Sequence, residues 1–174
     1  MTPLHLAVSL GRQELVRVLL AGGANPSSRT GPPHKTPLHL AAAGGDVVIM
    51  EMLIKRGAGW KEKDDWGWSV LHEAAAAGHS AGILWVCRES KGLINVADKL
   101  GRTPLLAGLM AGAKLDAVAE LLRQGEDPGA EDEVGRGAPE AAILYCDTEV
   151  FKFYIYHKLS SVNELGCSAC FRSV

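Results

Sequence analysis

The chain has 174 residues, 47% of them hydrophobic and 22% charged, with a formal net charge of −2. It is long enough for a sizeable core and too apolar for a disordered acidic or basic tail; near-neutral charge also argues against a general binder of phosphate backbones. No stretch approaches the roughly 18 apolar residues of a membrane span, no basic region precedes an apolar run as in a secretory leader, and four cysteines make no disulfide framework.

TPLHLA occupies Thr2–Ala7 and recurs at Thr36–Ala41. SVLHEAA begins at Ser69, TPLLAG at Thr103 and a decayed GAPEAA at Gly137, each 33 or 34 residues after its predecessor. Five units at near-constant period predict a repeat array. The units open with residues suited to capping a short helix, and in units one, two and four Pro follows directly, where the first turn tolerates it. Small residues such as Ala41–Ala43 and Ala74–Ala77 let neighbouring helices approach. Gly11, Gly45, Gly78 and Gly112 then stand where a left-handed cap would end that helix. A second helix follows with apolar pairs one turn apart: Leu15-Val16 with Leu19-Leu20, Ile49-Met50 with Leu53-Ile54, and Val150-Phe151 with Tyr154-Ile155. The fourth unit needs one extra residue before Ala117-Val118 and Leu121-Leu122. A Gly-, Pro- and Asp-containing turn closes each unit.

The TPLH opening, the helix-turn-helix and the period resemble ankyrin repeats over roughly residues 1–157. The resemblance implies an all-α solenoid of stacked antiparallel helix pairs, with connectors projecting as β-turn fingers and the inner helices and fingers forming a concave surface. The repeats start near 2, 36, 69, 103 and 137, and residues 158–174 are expected to be a frayed C-terminal tail.

The array departs from the pattern at its ends. It begins directly on a TPLH motif with no polar capping unit, so the sequence is either a fragment or exposes apolar residues such as Leu4 and Leu6 on its first helix. The motif histidine, present as His5, His39 and His72, becomes Leu106 and then Glu140, and the capping glycine becomes Cys146. In the family this histidine hydrogen-bonds the backbone of a neighbouring repeat. Units two and three, closest to the pattern and flanked on both sides, are expected to be the most stable, and units four and five to open first.

No catalytic constellation is found. His72-Glu73 begins like HExxH, but position 76 is Ala, and both residues occupy ordinary repeat positions. No phosphate-binding GxxxxGK[ST] and no GxSxG elbow occurs. Cys167 and Cys170 form a CxxC without a second pair; with Cys146 they supply a weak metal or redox alternative. Cys87 reads as a small core residue. The protein is therefore expected to be no enzyme, with no cofactor and no metal.

Surface recognition remains. The residues just before the helix openings, Lys35, Trp68, Arg102 and Arg136, face the concave side in this family and form a row. Together with Trp66 they are the candidate partner-binding residues, suited to an acidic or aromatic-bearing segment. The competing reading packs Trp66 and Trp68 on adjacent fingers; Trp60 and Trp85 read as packing residues. Glu126, Asp127, Glu131, Asp132 and Glu133 form either a solvated loop or a site for a basic peptide. The leading expectation is a non-enzymatic interaction module or adaptor, monomeric, intracellular in cytoplasm or nucleus, binding a protein and neither nucleic acid nor membrane interior. The alternative is an ankyrin recruitment or regulatory segment of a larger enzyme or channel.

Overall fold

The computed structural model describes residues 1–166, with side chains to Lys158. Ten α-helices form among these residues: α1 (Pro3–Ser9), α2 (Gln13–Ala21), α3 (Pro37–Gly44), α4 (Val47–Lys55), α5 (Val70–Ala76), α6 (Ser80–Glu89), α7 (Pro104–Met110), α8 (Leu115–Arg123), α9 (Ala138–Tyr145) and α10 (Thr148–Gly166). A single 3-10 turn, Lys91–Leu93, follows α6. The inner helices α1, α3, α5, α7 and α9 stack in sequence, and each packs on its own outer helix. The core runs unbroken between the two layers, through Leu38, Leu71 and Leu105 on the inner side and Met50, Ile83 and Val118 on the outer. This is the all-α solenoid that the repeat period implies.

The helix starts follow their capping residues. Thr2, Thr36, Ser69 and Thr103 all take extended backbone angles just ahead of an inner helix. The helix ends follow their glycines: Gly45 has φ 69°. A Cβ there would lie 2.6 Å from Cγ of His79, the ring that the next unit lays over this corner. Position and neighbour together require glycine.

The motif histidines tie each inner helix to the finger beyond it. In unit two, His39 Nδ1 accepts from the Thr36 hydroxyl at 2.8 Å and Nε2 donates to the Trp68 carbonyl at 3.1 Å. His72 repeats this with Ser69 and the Arg102 carbonyl, and His5 with Thr2 and the carbonyls of Ser28 and Lys35. All three rings are fully buried. Burial lowers the pKa of each, that of His72 to about 4, so the neutral tautomer makes the tie.

Unit four lacks the histidine and solves the problem differently. Glu126, in the register of Ala24 and Ala58, turns its buried carboxyl onto the N–H of Leu105 and the hydroxyl of Thr103. In unit five, Glu140 accepts from the N–H of Gly137 at 3.1 Å. Cys146, in the place of the capping glycine, is extended and donates its thiol to the Leu109 carbonyl at 3.3 Å.

At the first helix the expectation holds for one residue only. Leu6 is 53% exposed, but Leu4 is 2% exposed, because its position faces the shared core rather than the open end. Helix α10 buries Val150 and Tyr154, the Tyr154 hydroxyl donating to the Pro128 carbonyl, and continues past residue 157 to Gly166. Cys167 and Cys170 lie outside the described residues.

Candidate partner-binding surface

The fingers are built on a second repeated device, an aspartate that folds the turn onto itself. In the second finger, Asp64 Oδ1 accepts from the backbone N–H groups of Trp66 and Trp68 at 2.9 and 2.8 Å, while its own N–H donates to the Trp68 carbonyl. Asp98 does the same for Leu100 and Arg102 in the third finger, and Asp132 for Val134 and Arg136 in the fourth. The first finger substitutes Thr30, whose hydroxyl accepts from the Lys35 N–H at 2.9 Å. Such turns hold their shape through local side-chain acceptors. They also stack: the N–H groups of Asp65, Lys99 and Glu133 donate to the carbonyls of Pro33, Trp66 and Leu100 in the preceding finger. At the tip, Gly67 has φ 82°, and a Cβ there would lie 2.8 Å from the Lys99 nitrogen.

On this frame Lys35, Trp66, Trp68 and Arg102 lie together, and Arg136 holds the corresponding register position one finger on; the cations among them are not free. Lys35 is partly buried; its ammonium pairs with the buried Glu73 of α5 and lies 5.7 and 5.8 Å from the ring centres of Trp66 and Trp68. Arg102 holds Asp98 Oδ2 through Nε at 2.7 Å and Nη2 at 2.6 Å. Arg136 holds Asp132 Oδ2 at 2.9 and 2.8 Å through the same two atoms. Arg102 lowers the Asp98 pKa against the raising effect of burial. Each cation thus meets a carboxylate of its own chain, and the row is close to neutral.

The two tryptophans differ. Trp68 is largely packed: its Nε1–H donates to Asp98 Oδ2 at 3.1 Å, its ring stacks on His72 at 6.0 Å between centroids, and the Arg102 guanidinium lies 5.9 Å over its face. Trp66 meets Trp68 edge to face at 6.5 Å and is 53% exposed. Trp60 and Trp85 lie 5.1 Å apart and pack against the core, as expected of packing residues.

The acidic connector is not one patch. Glu126 and Asp132 are buried and serve the frame; Asp127 Oδ1 accepts from the Gly129 N–H, and Glu131 and Glu133 are exposed. Cys87 is buried, its thiol pKa pushed up to about 12 by burial, which suits a core residue. Among the described residues no three His, Cys, Asp or Glu side chains converge as metal ligands would. No helix among them is long and apolar enough to cross a membrane.

Sequence reading missed what the finger carboxylates do, naming only Asp132 and that as part of an acidic connector. Asp64, Asp98 and Asp132 recur every 34 residues, each four residues before a member of the row. That register was the available signal. Glu73 stands at the motif position of Leu6 and Leu40, where only the fold shows Lys35 reaching across from the neighbouring finger.

The family model for ankyrin repeats, in three copies, matches residues 4–98 and 38–132. The chain is 31% identical over 155 residues to the probable 26S proteasome regulatory subunit p28 of Saccharomyces cerevisiae, a match covering 88% of this chain and 67% of that protein. It is 42% identical over 78 residues to the glycerophosphocholine phosphodiesterase gde1 of Schizosaccharomyces pombe, covering 45% of this chain and 7% of that protein. It is 40% identical over 72 residues to the potassium channel GORK of Arabidopsis thaliana, covering 41% of this chain and 9% of that protein. The chain belongs to the ankyrin repeat family, whose repeats are a protein-interaction module.

Proposed function

We propose that the chain is a non-catalytic adaptor that binds a partner protein on its concave face, with residues 1–157 as the binding array. Trp66 is the anchor, flanked by Trp68, Arg102, Lys35 and Arg136. The observation that supports this reading is a half-exposed Trp66 braced by a second tryptophan, on a finger whose Lys35 neighbour reaches Glu73 of the inner helix α5. Tryptophans that a partner buries are typical hot spots, worth about 2 kcal/mol or more on truncation. The neutralised row contributes shape and orientation more than net attraction. The similarity to a proteasome regulatory subunit supports a partner within a protein assembly in cytoplasm or nucleus. The chain acts as a monomer in this reading.

Capture from lysate tests it, comparing the wild type with a Trp66→Ala, Trp68→Ala, Arg102→Ala variant whose fold is checked by circular dichroism. A protein retained by the first and lost by the second supports the concave site. An identical set of bound proteins would move the site elsewhere. A second reading, a recruitment or regulatory segment of a larger enzyme or channel, draws support from gde1 and GORK, where the matching part is a small share of the protein.

A further inference from the structure

The second finger has one carboxylate oxygen that its neighbours' pattern leaves over. In the third and fourth fingers, Oδ2 of Asp98 and Asp132 is held by the guanidinium four residues on. In the second finger that register position is Trp68, whose indole N–H reaches forward to Asp98 instead. Asp64 is 5% exposed, and its Oδ2 accepts no hydrogen bond among the described residues. The homologous Lys35 of the first finger sends its ammonium to Glu73, and Arg29, the other cation acting on His39, goes to Glu62 and the Lys63 carbonyl. Glu73 is sensitive to both groups: burial raises its pKa most, Lys35 lowers it and Asp64 raises it further. His39, whose pKa responds to Asp64 and Lys35, is neutral through burial. Of the two buried carboxylates, Glu73 is thus taken by the ammonium that lies over the two indole rings, while Asp64 Oδ2 meets no cation through a hydrogen bond among the described residues.

We propose that this cluster receives an arginine side chain from a basic segment of a partner, its guanidinium hydrogen-bonding Asp64 beside Trp66 and Trp68. The inference rests on the concave-face reading and names the chemistry of the partner at that face. Arginine is the group the sibling fingers use, with Nε and Nη2 on a single carboxylate oxygen. Its planar cation also lies over indole, as Arg102 lies over Trp68. Lysine lacks the fork that serves one oxygen with two donors. Asp64 Oδ2 is closed to solvent, so the incoming guanidinium must displace Lys35, whose ammonium already lies over both rings.

The test follows the indole N–H resonances of the 15N-labelled chain at low salt during titration with a blocked peptide of alternating Gly and Arg. Citrulline and Glu versions of the peptide run in parallel. Saturable shifts of Trp66 and Trp68 with the arginine peptide alone are expected. Asp64→Asn keeps the Oδ1 acceptor and the turn while removing the charge, and weakens binding at least about tenfold. Trp68→Arg installs the sibling residue, fills the position from within and abolishes the response in a folded chain. Lys35→Gln removes the competing ammonium and tightens binding. Equal response to the citrulline or Glu peptide overturns the proposal, as does unchanged affinity in both Asp64→Asn and Trp68→Arg. Should captured proteins still depend on Trp66 while the arginine peptide leaves both indoles unmoved, the arginine site falls and the concave-face reading stands. Loss of Trp66-dependent capture would instead strike at the reading itself.

Discussion

Units one to three and unit four carry out the same task with opposite chemistry. In the first three, a buried neutral histidine joins the helix-opening residue to the next finger. In the fourth, a leucine replaces the histidine, and a buried carboxyl from the connector takes over the opening Thr103. The helix start is satisfied either way. The difference lies in what is left over. The histidines use both ring nitrogens, whereas Glu126 Oε2 is buried without a hydrogen bond among the described residues. Leu106, being apolar, cannot make the histidine's hydrogen bond to the following finger either. A repeat can therefore keep its shape after losing its signature residue, with less stabilisation and a different response to protons.

The largest effect is expected from His39→Ala. It leaves the Thr36 hydroxyl and the Trp68 carbonyl buried without their partner, and should cost about 2–4 kcal/mol in urea unfolding. Glu126→Ala at neutral pH should cost far less, since Ala24 and Ala58 occupy the same register and the carboxyl is only half satisfied. Combined with Leu106→His, which restores the tie, the substitution should raise stability by about 1 kcal/mol. A double variant less stable than the wild type would break the comparison.

Acid and base should separate the two regions. The histidine pKa values are lowered on folding, so their contribution is full above the unfolded value of 6.5. It is lost as pH falls below that, for His72 over the window down to about 4. Burial raises the Glu126 pKa from 4.5 to about 8, so its contribution is full below 4.5 and lost as pH rises through about 8. The groups around Glu126 are Asp127, Cys87 and, near Cys87, Glu120; none is a cation that would hold it ionised. Hydrogen exchange corrected for intrinsic rates should therefore show units one to three loosening in mild acid and unit four in mild base. Near neutrality Leu53-Ile54 should be better protected than Leu121-Leu122. The reverse order would defeat this account of the array.

The smallest effect should come from Trp66→Ala. As an exposed residue it should change stability by no more than about 0.5 kcal/mol, while Trp68→Ala, losing the Asp98 hydrogen bond and the His72 contact, should cost about 1–2 kcal/mol. Equal losses in thermal unfolding would mean that Trp66 is a packing residue.

The fold was legible because a repeat announces itself. Thr36, Pro37, His39 and Gly45 each stand for a local requirement of capping, turning or tying, and the period multiplies the signal. Lys35, Trp68, Arg102 and Arg136 were legible as one register position. Their electrostatic state was not.

By itself the sequence determined the helix pairs, their order and the register of the row, because caps, glycines and apolar spacing act within a few residues of each other. Only the tertiary structure decided that Lys35 would be held by Glu73, that Trp68 would turn its indole to Asp98 and that Asp64 would be left with an unfilled oxygen. Those outcomes depend on which side chain of the adjoining unit lies opposite. The distances in the chain are about one repeat, and the choice among nearby acceptors rests on burial and reach, which no local window of residues contains.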